Sequence, residues 1–506
     1  MSTMFRSLSV RNYRIWFLGA LVSNVGAWMQ ATAQNWVVLT ELSDTDAVAV
    51  GITMALQFGP QLLLVPVSGT VADRFDRRRV LMVTQSLLML LALGLGVLLI
   101  SGGAELWHLY GFALGLGVVN AFDTPARQAF VSDLVRADQL SNAVALNSAS
   151  FNSARLVGPA VAGLLIAAIG SGWVFVINAV SFVAMLAALA LIRIPRRPAS
   201  VSGRESQLSQ LSAGFRYVLR RHDLVVIFIM VFVIGSFGMN FPIFSSTMAV
   251  EFGRGAGEYG VLSSILAIGS LTGALMVARR PAARFRAVVV AAGGFGVACT
   301  LAAVMPTFWT FAATLVMLGY CTSTMLSTAN GFVQTTSDPA VRGRVLSIYF
   351  AILMGGTPIG APVVGAVADA FGARWGVGVA AISGLVAFVV GIGWLIVERR
   401  LRVHLNRGPG RHLAVTHAGR PGLNDDPAAQ SETLTAPIAV LRRGPVILSE
   451  PNSAPQSGAL SEGLTGPIGI VDLHEQEAGE APRTRRPDDP DTDTPERDRG
   501  GTDAAE

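Results

Sequence analysis

The chain has 506 residues, 52% of them hydrophobic and 14% charged, with a formal charge of +5 and a mean hydropathy of +0.52. A water-soluble domain charges about a quarter of its residues, so a soluble fold of this length is not expected. Arginine supplies every basic residue and sits in short clusters between apolar runs, a pattern of membrane topology rather than of a nucleic-acid surface.

A hydrocarbon core about 30 Å thick takes about 20 helical residues to cross, and twelve runs of that order follow one another. The first, 15–39, is too long for a signal-peptide core and lacks a small-residue cleavage site, so it is expected to remain as a span. It holds Asn24, Trp28, Gln30, Gln34, Asn35 and Trp36. The second, 48–72, holds Gln57 and leads into Gly69-Thr-Val-Ala-Asp73-Arg74-Phe-Asp76-Arg77-Arg78-Arg79. Runs 80–101 and 106–124 follow, the latter carrying Asn120 and Asp123. The fifth, 141–168, contains Ser153-Ala-Arg155-Leu-Val-Gly158-Pro159-Ala-Val-Ala-Gly163, and the sixth is 173–192. From Pro195 to about His222 lies the longest polar interval between runs, which divides the series six and six. The second half comprises 224–250, with Asn240, then 259–278, 287–305, 308–331, 345–370 and 375–397, with Asn330 and Gln334 closing the tenth.

Short arginine-bearing loops favour the cytoplasmic side. Arg6, Arg11 and Arg14, then Arg74 to Arg79, Arg127 and Arg136, Arg193 to Arg197, Arg279 to Arg286, Arg342 and Arg344, and Arg399 and Arg400 all fall on one side of a twelve-span count; only Arg254 and Arg374 fall on the other. Both termini are therefore expected in the cytoplasm, with the chain in the inner or plasma membrane. Gly158, Gly163, Gly170 and Trp173 recur 202 residues later as Gly360, Gly365, Gly372 and Trp375, as in a parallel repeat with a substrate site at its interface. The domains read as an N-terminal six-helix bundle (1–194), a linker (195–222), a C-terminal six-helix bundle (223–400) and a disordered cytoplasmic tail (401–506). The fold class is all-α integral membrane.

Polar residues inside these runs are the candidates for a substrate cavity: Asn24, Gln30, Gln34, Gln57, Asn120, Asn152, Arg155, Asn240 and Gln334. Arg155 stands near the middle of its span, where arginine is costly and is expected to face the interior. Ser148, Asn152, Arg155 and Pro159 recur at four- and three-residue steps and so share one helical face. Buried carboxylates are scarce; Asp123 is the candidate for proton coupling, with pairing to a nearby arginine as its structural alternative. Cys299 and Cys321 lie in apolar runs and read as buried free thiols. Walker, metal-ligand and nucleophile patterns are missing, so neither a cofactor nor enzymatic chemistry is expected.

The loop from Gly69 to Arg79 resembles the signature loop of the major facilitator superfamily, with the aspartate lacking from its second-half counterpart after Gly273. The resemblance implies a cytoplasmic gate formed by Gly69, Asp73, Arg74, Arg77 and Arg78 that holds the outward-facing state. The fifth run, with its packing motif Gly158, Pro159 and Gly163, is similar to the fifth-span motif of antiporter-type facilitators. Together with Thr124-Pro-Ala-Arg127 and the tryptophans of the first run, it resembles the macrolide-efflux and enterobactin-exporter branch, the transmembrane secretion effectors, over residues 1 to about 400. That implies a monomeric, proton-coupled exporter of a drug or siderophore-like molecule. A nutrient importer on the same fold and a scaffold acting through its tail are the alternatives. In the tail, Ser431 to Ile438 recurs thirty residues later as Ser461 to Ile468, a candidate docking motif for a cytoplasmic partner.

Overall fold

The structure is a computed structural model and describes residues 3–192, 214–280, 282–339, 341–397, 401–406 and 412–417, all within one unit, residues 1–436. Helices follow from the apolar runs because a backbone surrounded by hydrocarbon must satisfy its own N–H and C=O groups. In chain order they are α1 (Arg11–Val37), α2 (Ala47–Leu63), α3 (Val65–Arg74), α4 (Arg77–Ile100), α5 (Leu106–Leu134), α6 (Leu140–Ile169), α7 (Ser171–Leu191), a short α8 (214–219), α9 (His222–Val233), α10 (Phe241–Glu251), α11 (Ala256–Ala278), α12 (Phe285–Val304), α13 (Phe308–Thr336), α14 (Arg342–Phe371) and α15 (Ala373–Val397).

Nine helical segments among the described residues are long and apolar enough to cross a bilayer, with α9 and α10 counted as one. The helices α1, α2 and α5 are not among them. At 17 residues α2 is short, and α1 and α5 are diluted by Asn24, Gln30, Gln34 and Asn35 and by Asn120 and Asp123.

Two expected spans are broken rather than continuous. The second divides at Leu64 (φ −92°, ψ 0°) into α2 and α3, with Pro66, which has no N–H to donate, in the first turn of α3. In the seventh, α9 passes into a π turn at Ile234–Gly238, and α10 begins after Asn240 with Pro242 in its first turn. By contrast α6 runs unbroken through Pro159. The expected linker lies mostly outside the described residues, as do 418–506 with their duplicated motif. The beginning of the tail is not structureless: β1 (Leu401–Asn406) and β2 (His412–His417) pair antiparallel, Leu401 opposite His417.

Within the first half, α1 packs on α6 and α7, and α4 on α5 and α7; in the second half, α12 packs on α13 and α15, and α11 on α13. The halves meet along two seams, α6 with α11 and α2 with α14. Small residues set both. A Cβ on Gly163 would stand 2.5 Å from the Ala256 carbonyl oxygen, and one on Gly51 2.5 Å from that of Ala361. Gly365 meets the Ala47 backbone as Gly163 meets that of Ala256, so the glycines 202 residues apart occupy corresponding places. Gly170 and Gly372 end α6 and α14 at φ +89° and +98°, a region that L side chains rarely adopt.

Candidate functional site

Away from the arginine clusters both seams are tight. Asp369, near the end of α14, accepts hydrogen bonds from the Ala47 and Val48 N–H groups at the first turn of α2 (2.7 and 2.8 Å). A carboxylate there satisfies otherwise unpaired donors and meets the positive end of the helix dipole. At the same end Trp36 of α1 stacks on Tyr259 of α11 (5.7 Å between centroids). Farther along, the Ser264 hydroxyl donates to the Leu156 carbonyl (2.8 Å).

Beyond that bond the α6–α11 seam parts. Gly260, Ser264, Ile268, Leu271 and Leu275 lie on one face of α11; the first meets Pro159 and the second Leu156, while the last three are 47%, 37% and 57% exposed. On α6, Val144 and Phe151 are likewise exposed. The space between the halves is thus closed at one end and open toward the arginine-rich end.

In the first half a cavity of about 140 Å³ is lined by Ser23, Asn24, Ala27, Gln30, Ala31 and Gln34 of α1, Gln57 of α2, Leu88 of α4, Leu116, Asn120 and Arg127 of α5, and Asn178 and Phe182 of α7. A water needs roughly 10–15 Å³ on this measure, so the cavity holds on the order of ten. Five of the expected cavity residues meet here: Asn24, Gln30, Gln34, Gln57 and Asn120. The polarity that lowers the hydropathy of α1 and α5 therefore points inward. Much of it is spent between helices: Gln34 Nε2 donates to Gln57 Oε1 (3.1 Å), Asn178 Nδ2 to Gln30 Oε1, and Asn24 Nδ2 to Ser150 Oγ (3.3 Å). Such bonds contribute about 0.6 kcal/mol each in a membrane protein.

The other four expected residues lie elsewhere. Asn240 is fully buried in the broken seventh span; its Nδ2 donates to the Ser236 carbonyl (2.7 Å) and its Oδ1 has no partner among the described residues. Gln334 is exposed and bonds Asn330. Asn152 donates to the Ser148 carbonyl (2.8 Å) on the parted face of α6. Arg155 stands on that helix with its guanidinium over the Trp28 ring (5.6 Å), and Phe151 meets the same ring edge-on (5.6 Å).

Asp123 is 3% exposed and accepts three bonds, from Thr84 Oγ1 (2.7 Å), Gln85 Nε2 (2.7 Å) and Arg127 Nε (3.1 Å). It is the one aspartate or glutamate classed as buried among the described residues, and the alternative of pairing with a nearby arginine is what the geometry has.

The expected gate residues divide. Asp76 caps α4 by accepting from the Arg78 and Arg79 N–H groups (2.9 and 3.2 Å). Arg77 pairs with Asp133 of α5 (2.9 Å), and Arg78 donates to the Leu189 and Ala190 carbonyls at the end of α7 (2.6 and 3.0 Å); these bonds stay within the first half. Arg74 is exposed, Gly69 is half-buried in α3, and the Asp73 side chain lies outside the described residues. Of the packing motif, Gly158 abuts Trp28, where a Cβ would stand 2.6 Å from that of the tryptophan, and Pro159 and Gly163 abut α11. Cys299 and Cys321 are buried free thiols, as expected.

Sequence reasoning read Arg127 as a loop arginine and a possible partner of Asp123 rather than as a cavity residue, gave Asp369 no partner, and missed Asn178. A lone asparagine in the very apolar sixth run was a signal for Asn178. No signal could have paired Asp369 with a helix start 321 residues earlier.

The chain resembles solved structures with this helical arrangement: a bacterial homolog of the human lysosomal transporter Spinster in an inward-facing, unoccupied conformation (TM-score 0.59, 14% identity, 76% of this chain and 98% of that one), and a bacterial homologue of the iron transporter ferroportin, also inward-facing (TM-score 0.57, 17% identity, 76% and 98%). In sequence it is 26% identical to the staphyloferrin A transporter of Staphylococcus aureus, over 78% of this chain and 98% of that protein. It is 27% identical to the multidrug efflux pump Tap of Mycolicibacterium fortuitum (70% and 88%) and 23% identical to the enterobactin exporter EntS of Salmonella choleraesuis (70% and 84%). The family model of the transmembrane secretion effectors matches residues 2–405. The chain belongs to that family of major facilitator transporters, and it is a multi-pass membrane protein.

Proposed function

We propose that the chain exports a small amphipathic molecule, drug or siderophore-like, by alternating access, as a monomer. On this reading α1–α7 and α9–α15 are two six-span bundles, α2 with α3 and α9 with α10 each making one span, and the arginine-rich end is cytoplasmic, as are both termini. One observation carries it: the halves are sealed at the end away from the arginines and parted toward them, which is an inward-facing transporter. Loading then occurs from the cytoplasm into the space bordered by Asn152, Arg155 and the polar cavity of the first half, Asn24, Gln30, Gln34, Gln57 and Asn120. Asn240, in the break of the seventh span, and Gln334 contribute from the second half as it closes. When the outer seam opens, Gly69, Asp73, Arg74, Arg77 and Arg78 close the cytoplasmic side. Protons drive the cycle through Asp123, whose protonation releases Arg127 into the cavity. The efflux-type relatives support export over import.

The test is efflux of a fluorescent amphipathic dye from energised cells expressing the wild type, Asp73→Asn or Asp123→Asn, with and without a protonophore. The reading expects lowered accumulation with the wild type, loss of that difference with the protonophore, and impairment in both variants at equal expression. Equal accumulation with and without the wild-type protein across a broad dye panel overturns it.

A further inference from the structure

We infer that Arg155 and Trp28 form a binding site for the anionic group of an aromatic acid, so that the exported molecule carries a carboxylate, phenolate or sulfonate on a planar ring. This names the substrate class of the exporter proposed above and rests on that reading.

The argument begins with position. Arg155 is 15 residues from the start of α6 and 14 from its end, so at about 1.5 Å per residue it stands at mid-membrane. On the helical wheel it lies between the stripe that packs on α1 through Gly158 and the stripe that packs on α11 through Gly163. That face of α6 is turned toward the space between the halves, on the cytoplasm-ward side of the Leu156–Ser264 bond.

The second observation is what surrounds the charge. Arg127, the arginine in the polar cavity, is neutralised by Asp123. Arg155 has neither an ion pair nor a hydrogen-bond partner among the described residues; its contact is the face of Trp28. An arginine fork resting on an aromatic ring keeps its N–H groups free at the edge, in the planar geometry that matches a carboxylate. Trp28 and Phe151, which meets it edge-on, supply ring surface, and Ser148 and Asn152 continue the same face of α6 toward the open end. No described acid faces this region: Asp123 is used by Arg127, and the remaining acids lie at or near helix ends. Among the described residues, Arg155 is thus a mid-membrane positive charge without a paired acid. A cationic amphiphile is repelled from it, and a neutral one gains only the rings.

The test uses the full-length chain purified in detergent micelles, with 1-naphthoate as the anionic probe and 1-naphthamide as its neutral counterpart, by equilibrium dialysis. The wild type is expected to bind naphthoate more tightly than naphthamide. Arg155→Gln should weaken naphthoate about tenfold or more while leaving naphthamide within about twofold, and Arg155→Lys, which keeps the charge but not the fork, should fall between. Retained naphthamide binding and an unchanged unfolding temperature show that the variant is folded. The site is overturned when the wild type binds naphthoate no more tightly than naphthamide, when it binds neither, or when Arg155→Gln weakens both alike. Dye efflux in cells expressing the wild type separates the two readings: protonophore-sensitive export of a neutral dye leaves the exporter standing even where the anion site has fallen.

Discussion

Gly163→Ala is the most direct perturbation of the closed seam. Its new Cβ would stand 2.5 Å from the Ala256 carbonyl oxygen and 3.0 Å from Gly257 Cα. Ordinary contact begins near 3.4 Å, so α6 and α11 must separate locally by about 0.9 Å. Both neighbours are backbone, which cannot swing aside as a side chain would. Overpacking of this kind costs about 1–3 kcal/mol, and at about 1.4 kcal/mol per tenfold the closed state loses roughly fivefold to 150-fold in population against a state open at this end. The assay is a spin-label distance between Gly103→Cys and Pro306→Cys, exposed positions on the loops before α5 and α13 at the sealed end; the native thiols are buried and do not compete. Gly257→Ala, on the same seam but with open space around its Cβ, is the control. The expected result is a longer distance population in Gly163→Ala and none in Gly257→Ala. Identical distributions in the two variants and the parent would refute the claim that close approach at Gly163 seals this end.

Three further outcomes follow from the same geometry. Asp369→Ala removes the acceptor of the Ala47 and Val48 N–H groups and is expected to favour opening of the same end by about 1 kcal/mol, read with the same label pair; a distribution matching the parent sinks that role. Arg78→Ala leaves the Leu189 and Ala190 carbonyls without their donor and should lower the unfolding temperature by the equivalent of about 1 kcal/mol, with Arg79→Ala as the neutral comparison. Asp123→Ala strands Arg127 and should cost about 3–5 kcal/mol of stability, much of it restored in Asp123→Ala/Arg127→Ala; a double variant no more stable than the single one means that the pair is not coupled.

Much of this protein was legible in its sequence. Hydrocarbon forbids unpaired backbone and charged side chains, so runs such as 375–397 announced their helix directly, and the glycines 202 residues apart announced two similar halves because close helix approach tolerates only small residues. The helices that line the cavity were the least conspicuous as spans, since Asn24, Gln30, Gln34 and Asn120 make α1 and α5 useful and less apolar at once. What only the tertiary structure decided was pairing. Polar residues that looked equivalent in sequence separated into some that satisfy one another, as Gln34 does with Gln57, others that lie buried in a helix break, as Asn240 does, and one, Arg155, whose guanidinium rests over Trp28. It also decided that Asp369 meets α2 and that the halves part toward the arginines. Apolar periodicity records where a helix faces lipid over a few turns, whereas these contacts join residues hundreds of positions apart, whose geometry depends on how two halves lean on each other.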